Sequence, residues 1–82
     1  MRTFNLNKNY TVICDIKNTK RGFKHIATLY DKNGFLIDNA NIDYINRAWE
    51  RFTYETILNK IVNINFEGKE KEKYLRKIKT FS

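Results

Sequence analysis

The chain has 82 residues and a formal net charge of +7, from sixteen lysine and arginine residues against nine aspartate and glutamate residues. It is 41% hydrophobic and 15% aromatic, a composition that supports a folded core and excludes an intrinsically disordered chain. A chain of this length forms one small domain that buries roughly 60% of its unfolded surface, which leaves little room for a deep active-site cavity.

The sequence shows no targeting or membrane-spanning segment. The N-terminal residues contain no apolar run of signal-peptide length, and no stretch approaches the ~18 apolar residues of a membrane span. The only cysteine, Cys14, cannot form an intramolecular disulfide. We therefore expect a cytoplasmic protein. The positive charge favours an acidic partner such as nucleic acid, or it reflects a coding sequence rich in A and T, since Lys, Asn and Ile are all abundant.

The first half of the chain predicts an N-terminal arm and a β-hairpin. Residues 1–9 are assigned to the arm. Apolar and polar side chains alternate through residues 10–17 and again through residues 22–31, which predicts two strands. With residues 18–21 as the loop, the antiparallel register places Cys14 opposite His25 and Asp15 opposite Lys24 as a cross-strand ion pair.

A third strand follows the second turn. The turn ends in an Asn-Gly pair at Gly34, which tolerates the positive φ of a tight hairpin. Alternation resumes at Phe35 and continues to about Ile45, through a bulge near Asp38 and the asparagine that follows it. Residues 10–45 are therefore expected to form a three-stranded antiparallel β-meander.

Residues 46–63 are predicted to form the main helix, with Asn46 as its N-cap. Its apolar residues lie on two opposite sides. One side carries Ala48, Trp49 and Phe52; the other carries Tyr54, Ile57, Leu58 and Ile61. A helix on one sheet needs a single apolar face, so the C-terminal segment, a second copy or a partner must cover the surplus. We expect Trp49 to anchor the helix against the sheet, and Tyr54 to face outward.

A second, basic helix is predicted over residues 69–80, after a break at Gly68. Its apolar side chains are those of Tyr74, Leu75, Ile78 and Phe81, and we expect them to dock on the meander or on the main helix. The predicted fold is therefore α+β, one domain over residues 1–82 with the order β-β-β-α-α.

No group of residues predicts catalysis or metal binding. Cys14 and His25 are the minimum for thiolate chemistry, but no third group orients the histidine, and two side chains of a core-facing surface explain the pair better. One cysteine and one histidine do not complete a zinc site. The glycines are scattered among turns, so no loop cradles a phosphate. We expect a protein that is not an enzyme and has no cofactor or metal.

The hairpin loop and the C-terminal helix are candidate nucleic-acid contacts. The residues that would contact phosphates are Lys17, Lys20, Arg21 and Lys24 in the hairpin, and Lys73, Arg76 and Lys77 in the helix. Phe23 lies near the hairpin cations for base stacking. The alternative is a pair of solvated basic surfaces, because no groove-reading motif accompanies these charges.

The start of the main helix is a candidate protein-binding site. Arg47, Arg51 and Tyr54 lie within eight residues, together with the only tryptophan, and Trp, Tyr and Arg are enriched in the residues that carry most binding energy at interfaces. Adding the hairpin cations gives the predicted partner-binding set of Lys20, Arg21, Lys24, Arg47, Arg51 and Tyr54.

The main helix also resembles a known group of proteins. Asn46, Arg47, Trp49, Glu50, Phe52, Tyr54 and Leu58 follow the pattern Asn-Arg-x-Trp-Glu-x-Phe-x-Tyr-x-x-x-Leu. That pattern, after an N-terminal β-meander, is similar to small uncharacterised proteins of phages and prophages of low-GC Gram-positive bacteria. The resemblance covers roughly residues 10–63 and leaves out the basic tail.

The resemblance implies a function in a bacterial host cell. Small phage proteins of this size often inhibit host or defence enzymes, anti-CRISPR proteins among them. It therefore implies a non-enzymatic inhibitor of a nucleic-acid-handling enzyme or nucleoprotein, such as a CRISPR effector, acting as a monomer or a homodimer. The positive charge argues against mimicry of DNA. The alternative is a small basic nucleic-acid-binding accessory protein of phage replication or regulation.

Overall fold

The computed structural model describes residues 1–81 and contains four strands followed by two helices. The elements are β1 (Arg2–Asn7), β2 (Tyr10–Thr19), β3 (Gly22–Asp31), β4 (Leu36–Tyr44), a 3₁₀ turn (Arg47–Trp49), α1 (Glu50–Asn65) and α2 (Gly68–Phe81). The strands pair in chain order as an antiparallel sheet. α1 packs on β3 and β4, and α2 packs on α1. The predicted α+β class is confirmed, and the strand count of three is wrong.

The additional strand is β1, in the segment predicted as an arm. Phe4 and Leu6 are 3% and 1% exposed, whereas Thr3 and Asn5, at the alternate positions of the strand, face solvent. Phe4 lies opposite Val12 of β2. Two apolar residues are too few to predict a strand alone, and only pairing with β2 gives them a core to fill.

The β2–β3 hairpin is longer and tighter than predicted. Its turn contains only the two residues between Thr19 and Gly22, which lie opposite each other. Cys14 therefore lies opposite Ala27, and its predicted pairing with His25 is wrong. The register differs by two residues, and because side chains alternate with a period of two, the predicted faces are kept.

The new register also changes the charge pairs on the outer face of the sheet. Asp15 lies opposite Ile26, so its predicted pairing with Lys24 is wrong. Lys24 instead has Lys17 opposite it on β2 and Asp43 opposite it on β4. The hairpin thus places two like charges directly across from each other, an unfavourable arrangement in a sheet.

The second turn forms as predicted, and the bulge is displaced by one residue. Asp31 Oδ1 accepts hydrogen bonds from the backbone N–H groups of Asn33 (2.8 Å) and Phe35 (3.0 Å). β3 and β4 pair with an irregularity that leaves Ile37 without a partner, just before the predicted bulge. The next residue, Asp38, accepts a hydrogen bond from Asn65 Nδ2 of α1 at 2.8 Å.

α1 packs on the sheet through the face that carries Ile57 and Leu58. The prediction had placed Trp49 against the sheet instead. Asn46 caps the 3₁₀ turn, since its Oδ1 accepts from the Ala48 N–H at 2.9 Å. The buried residues of α1 are Thr53, Tyr54, Ile57, Leu58, Ile61 and Val62. Trp49 and Phe52 are 57% and 66% exposed, and Tyr54 is 3% exposed. Both the anchoring role of Trp49 and the outward position of Tyr54 were wrong, because the longer aliphatic stripe buries more apolar surface.

α2 docks through the side chains expected to do so. Tyr74 and Ile78 are each 1% exposed. The Tyr74 ring packs edge-on against Phe66 with centroids 4.8 Å apart, and its hydroxyl accepts a hydrogen bond from Asn7 of β1. The docking prediction is confirmed; the side chain of Phe81, and Ser82 with it, lie outside the part of the chain that the structure describes.

We predict that Gly22→Ala destabilises the fold. A Cβ at Gly22 would lie 2.5 Å from the carbonyl oxygen of Tyr44 and 2.8 Å from the Cα of Ile45, and neither backbone atom can move aside cheaply. We expect a loss of about 3 kcal/mol, the upper end of the range for overpacking. Gly34→Ala is the control: open space surrounds Gly34, and its positive φ alone costs about 1 kcal/mol. Urea unfolding measures the free energy of unfolding of both variants. Equal losses of stability would contradict the close approach of the backbone to Gly22.

Candidate partner-binding surface

The tip of the β2–β3 hairpin and the end of β4 enclose a groove of about 500 Å³. Gly22 makes this possible, because its missing Cβ lets the tip approach the Tyr44–Ile45 backbone. Three cationic side chains line the groove, those of Lys20, Arg21 and Lys24. We call this feature the hairpin groove.

The wall of the hairpin groove includes two stacked rings. The rings of Phe23 and Tyr44 lie with centroids 5.3 Å apart and an angle of 27° between their planes. Tyr44 is 7% exposed, and its hydroxyl has no hydrogen-bond partner among residues 1–81. Burial raises the pKa of Tyr44, so this hydroxyl keeps its proton. The groove wall thus has aromatic surface from Phe23, whereas the unused hydroxyl of Tyr44 is buried.

An exposed apolar and cationic patch adjoins the groove. We call it the helix-start patch; it consists of Ile45, Arg47, Trp49, Arg51 and Phe52. Ile45 is 80% exposed and lines the groove as well. The rings of Trp49 and Phe52 meet edge to face with centroids 6.3 Å apart, and both arginines are exposed. The patch therefore combines large apolar surface with two guanidinium groups.

The structure brings most of the predicted partner-binding residues to this end of the molecule. Lys20 and Arg21 are exposed at the tip, and Lys24 is half-buried in the groove. Arg47 and Arg51 are exposed on the patch. The residues that the prediction missed are Tyr44 and Ile45 in the groove wall and Trp49 and Phe52 on the patch. The two-sided apolar pattern of the main helix was the available signal for the last two.

Tyr54, a member of the predicted partner-binding set, faces the core and not outward. Its ring lies where the guanidinium of Arg2 is 4.9 Å above it and His25 packs edge-on at 5.6 Å. Burial raises the pKa of Tyr54 to about 12, so the phenol stays neutral. A side chain that is 3% exposed offers little surface to a partner.

The cations of α2 form a separate basic surface. Lys73, Arg76 and Lys77 are exposed, and none of them lines the hairpin groove. Lys77 Nζ donates a hydrogen bond to the carbonyl oxygen of Leu6 at 3.2 Å, which ties α2 to β1. At least one of the three predicted nucleic-acid contacts on this helix therefore has a structural role.

Cys14 lies in the core as a buried, free thiol. The side chain is 2% exposed, and burial raises the pKa of its thiol to about 11, against the opposing effect of a hydrogen bond with Tyr54. A thiol with this pKa stays protonated at neutral pH, and the thiolate is the reactive form. Within residues 1–81, no group of three or more His, Cys, Asp or Glu residues is placed to hold a metal ion.

Comparison with known proteins found no relative of this chain. No family model matches the chain, and neither does any curated protein or solved structure. The resemblance to phage proteins therefore remains a prediction from the helix motif. Of the two helices in the described part of the chain, neither is long and apolar enough to cross a membrane.

We predict that the two sides of α1 differ sharply in their contribution to stability. Phe52→Ala should change the free energy of unfolding by no more than about 0.5 kcal/mol, because the side chain is exposed. Ile57→Ala should cost about 2–5 kcal/mol, because Ile57 is fully buried. Urea unfolding followed by circular dichroism measures both changes. Similar losses for the two variants would mean that the Phe52 side is covered.

We also predict that protonation of His25 destabilises the protein below neutral pH. Burial lowers the pKa of His25; Glu50 opposes this shift and Arg2 adds to it. The folded chain then binds fewer protons than the unfolded chain once the pH drops below about 6.5. The free energy of unfolding should therefore fall as the pH is lowered from 7 to 5. In the His25→Leu variant the free energy of unfolding should fall less over the same pH range. An equal fall in the variant would show that carboxylates, and not His25, cause the effect.

Proposed function

We propose that this protein is a non-enzymatic binding protein of phage type that inhibits a nucleic-acid-handling enzyme in the cytoplasm of its bacterial host. Its partner is a host or defence protein, or a nucleoprotein such as a CRISPR effector. The inhibitor occupies a functional surface of that partner and transforms no substrate. The observation that carries this proposal is the exposure of Trp49 and Phe52, whose rings contact each other in a segment that also carries the exposed Arg47 and Arg51.

The helix-start patch has the composition of a binding hot spot. Tryptophan and arginine are the residue types most enriched among side chains whose truncation costs 2 kcal/mol or more. Trp49 and Phe52 keep more than half of their surface in water, although burial of apolar area contributes about 25 cal/mol per Å². Contiguous exposed apolar surface of this kind is typical of interaction sites.

The net charge of +7 supports two chemistries for the partner surface. The first is an acidic patch of the enzyme itself, and the second is the nucleic acid that the enzyme holds. Complementary charge increases the association rate and the specificity of binding more than it increases the affinity. In this proposal the arginines steer the approach, and the aromatic rings of the patch provide most of the binding energy.

The alternative function is that of a small basic nucleic-acid-binding accessory protein of phage replication or regulation. The specific observation in its favour is the cationic hairpin groove. In that case no enzyme would be inhibited, and the affinity of this protein for nucleic acid would fall steeply with salt.

The inhibitor proposal is tested in two stages. Nuclease-treated lysate of the bacterial host is passed over the immobilised protein, and each retained enzyme is then purified and assayed with increasing inhibitor. We expect inhibition that saturates at a fixed stoichiometry. Trp49→Ala and Phe52→Ala should each weaken binding by roughly 30-fold or more.

Ile64→Ala is the matched control, because Ile64 is an exposed apolar residue, 63% exposed, near the other end of α1. It should change the affinity by less than about threefold. Inhibition that is unaffected by loss of both aromatic side chains would contradict the proposal. Analytical ultracentrifugation covers the remaining case: a dimer that dissociates in the Trp49→Ala variant would make the patch a subunit interface.

A further inference from the structure

We infer that the hairpin groove binds a single strand of nucleic acid, with Lys20, Arg21 and Lys24 on its phosphates and the groove wall against a base. This inference rests on the alternative function, whose ligand it narrows to a single strand at a named site, and it needs no partner protein. This inference and the inhibitor proposal can each fail while the other stands.

The side chains of two hairpin-tip cations, Lys20 and Arg21, make no hydrogen bond or ion pair with any of residues 1–81. On the adjoining strands Lys17 and Lys24 lie directly opposite each other, and like charges in that position destabilise a sheet. Asp43 on β4 lies opposite Lys24 and offsets part of this repulsion. A ligand with several negative charges would offset the positive charge that remains.

The groove wall favours a base over a simple anion. Phe23, half-buried and stacked on the buried ring of Tyr44, provides aromatic surface, and Ile45 adds an exposed apolar side chain at the rim. Single-strand binding sites combine a cationic track for the backbone with aromatic surface for bases. In a duplex the bases are already stacked on each other and do not offer a free face. The combination therefore points to a single strand.

One acidic residue, Asp43, also lines the groove and would repel a phosphate. It lies opposite Lys24 on the neighbouring strand, so these two charges offset each other. Lys20 and Arg21 are then the cations of the groove without an opposite charge among residues 1–81.

Trp49, an exposed side chain, lies close to the hairpin groove along the chain. Ile45 at the rim is followed by Asn46, whose carbonyl oxygen accepts a hydrogen bond from the Trp49 N–H at 2.9 Å. The backbone of Trp49 therefore lies within one turn of the groove. Since Trp49 is the only tryptophan, its fluorescence reports on a strand that extends beyond the groove.

The test is fluorescence anisotropy with fluorescein-labelled oligo-dT and oligo-U of about twelve nucleotides, using the full chain at roughly 50 to 200 mM salt. We expect a micromolar dissociation constant at low salt. The logarithm of the association constant should fall against the logarithm of salt with a slope of about −2, as expected for three phosphate contacts on a single strand.

Two double variants with the same loss of charge separate the groove from general basicity. Lys20→Gln with Arg21→Gln should weaken binding about tenfold and reduce the slope to about −0.7. Lys60→Gln with Lys69→Gln, on exposed positions of α1 and α2, should change the affinity by less than about threefold. Thermal unfolding of each variant confirms that the fold is kept. In the unmodified protein, amide chemical-shift changes on titration with oligo-dT should concentrate at Thr19, Lys20, Phe23 and Ile45.

Three results would overturn the inference. The first is no binding at low salt. The second is equal loss in the two double variants, which would assign the affinity to net charge alone. The third is displacement of the strand by polyglutamate at the same charge concentration, which would make the groove a site for an acidic peptide.

Discussion

The packing of α1 on β3 and β4 determines most of the remaining structure. Ile57, Ile61 and Val62 are fully buried, and they form part of one core with the inner face of the sheet and with α2. Because a helix is rigid, burying this stripe fixes the rotation of every residue on it. Trp49 and Phe52 are turned into solvent for that reason, since α2 covers another part of α1.

A second constraint acts at the C-terminal end of β4. The two-residue turn of the hairpin fits against the Tyr44–Ile45 backbone only because Gly22 has no Cβ. This close approach makes a groove between a cationic tip and an aromatic wall. The same contact places Ile45 at the junction of the hairpin groove and the helix-start patch. Two surfaces of different chemistry therefore share one end of the molecule.

The two proposed ligands are compatible with each other. The helix-start patch is apolar and suits a protein surface, whereas the hairpin groove is cationic and suits a phosphate backbone. An enzyme that holds a nucleic-acid strand offers both surfaces side by side. Each surface has its own variants and its own measurement, so the contribution of each can be determined separately.

The sequence by itself determined the local structure and the faces of the strands. The alternation in β2 and β3, the Asn-Gly turn, the Asn46 cap and the apolar residues of α2 depend on neighbours along the chain. Sequence also identified the cations of the hairpin tip and the two-sided main helix. A two-residue error in register left the faces intact, because side chains alternate with a period of two.

Tertiary structure decided what depends on residues far apart in the chain. Phe4 and Leu6 form a strand only when β2 is available to pair with them. The choice between the Trp49 side and the Tyr54 side of α1 depended on total buried area, which local periodicity does not contain. The hairpin groove requires Gly22 and Tyr44 to meet across 22 residues of sequence, and no local pattern encodes that approach.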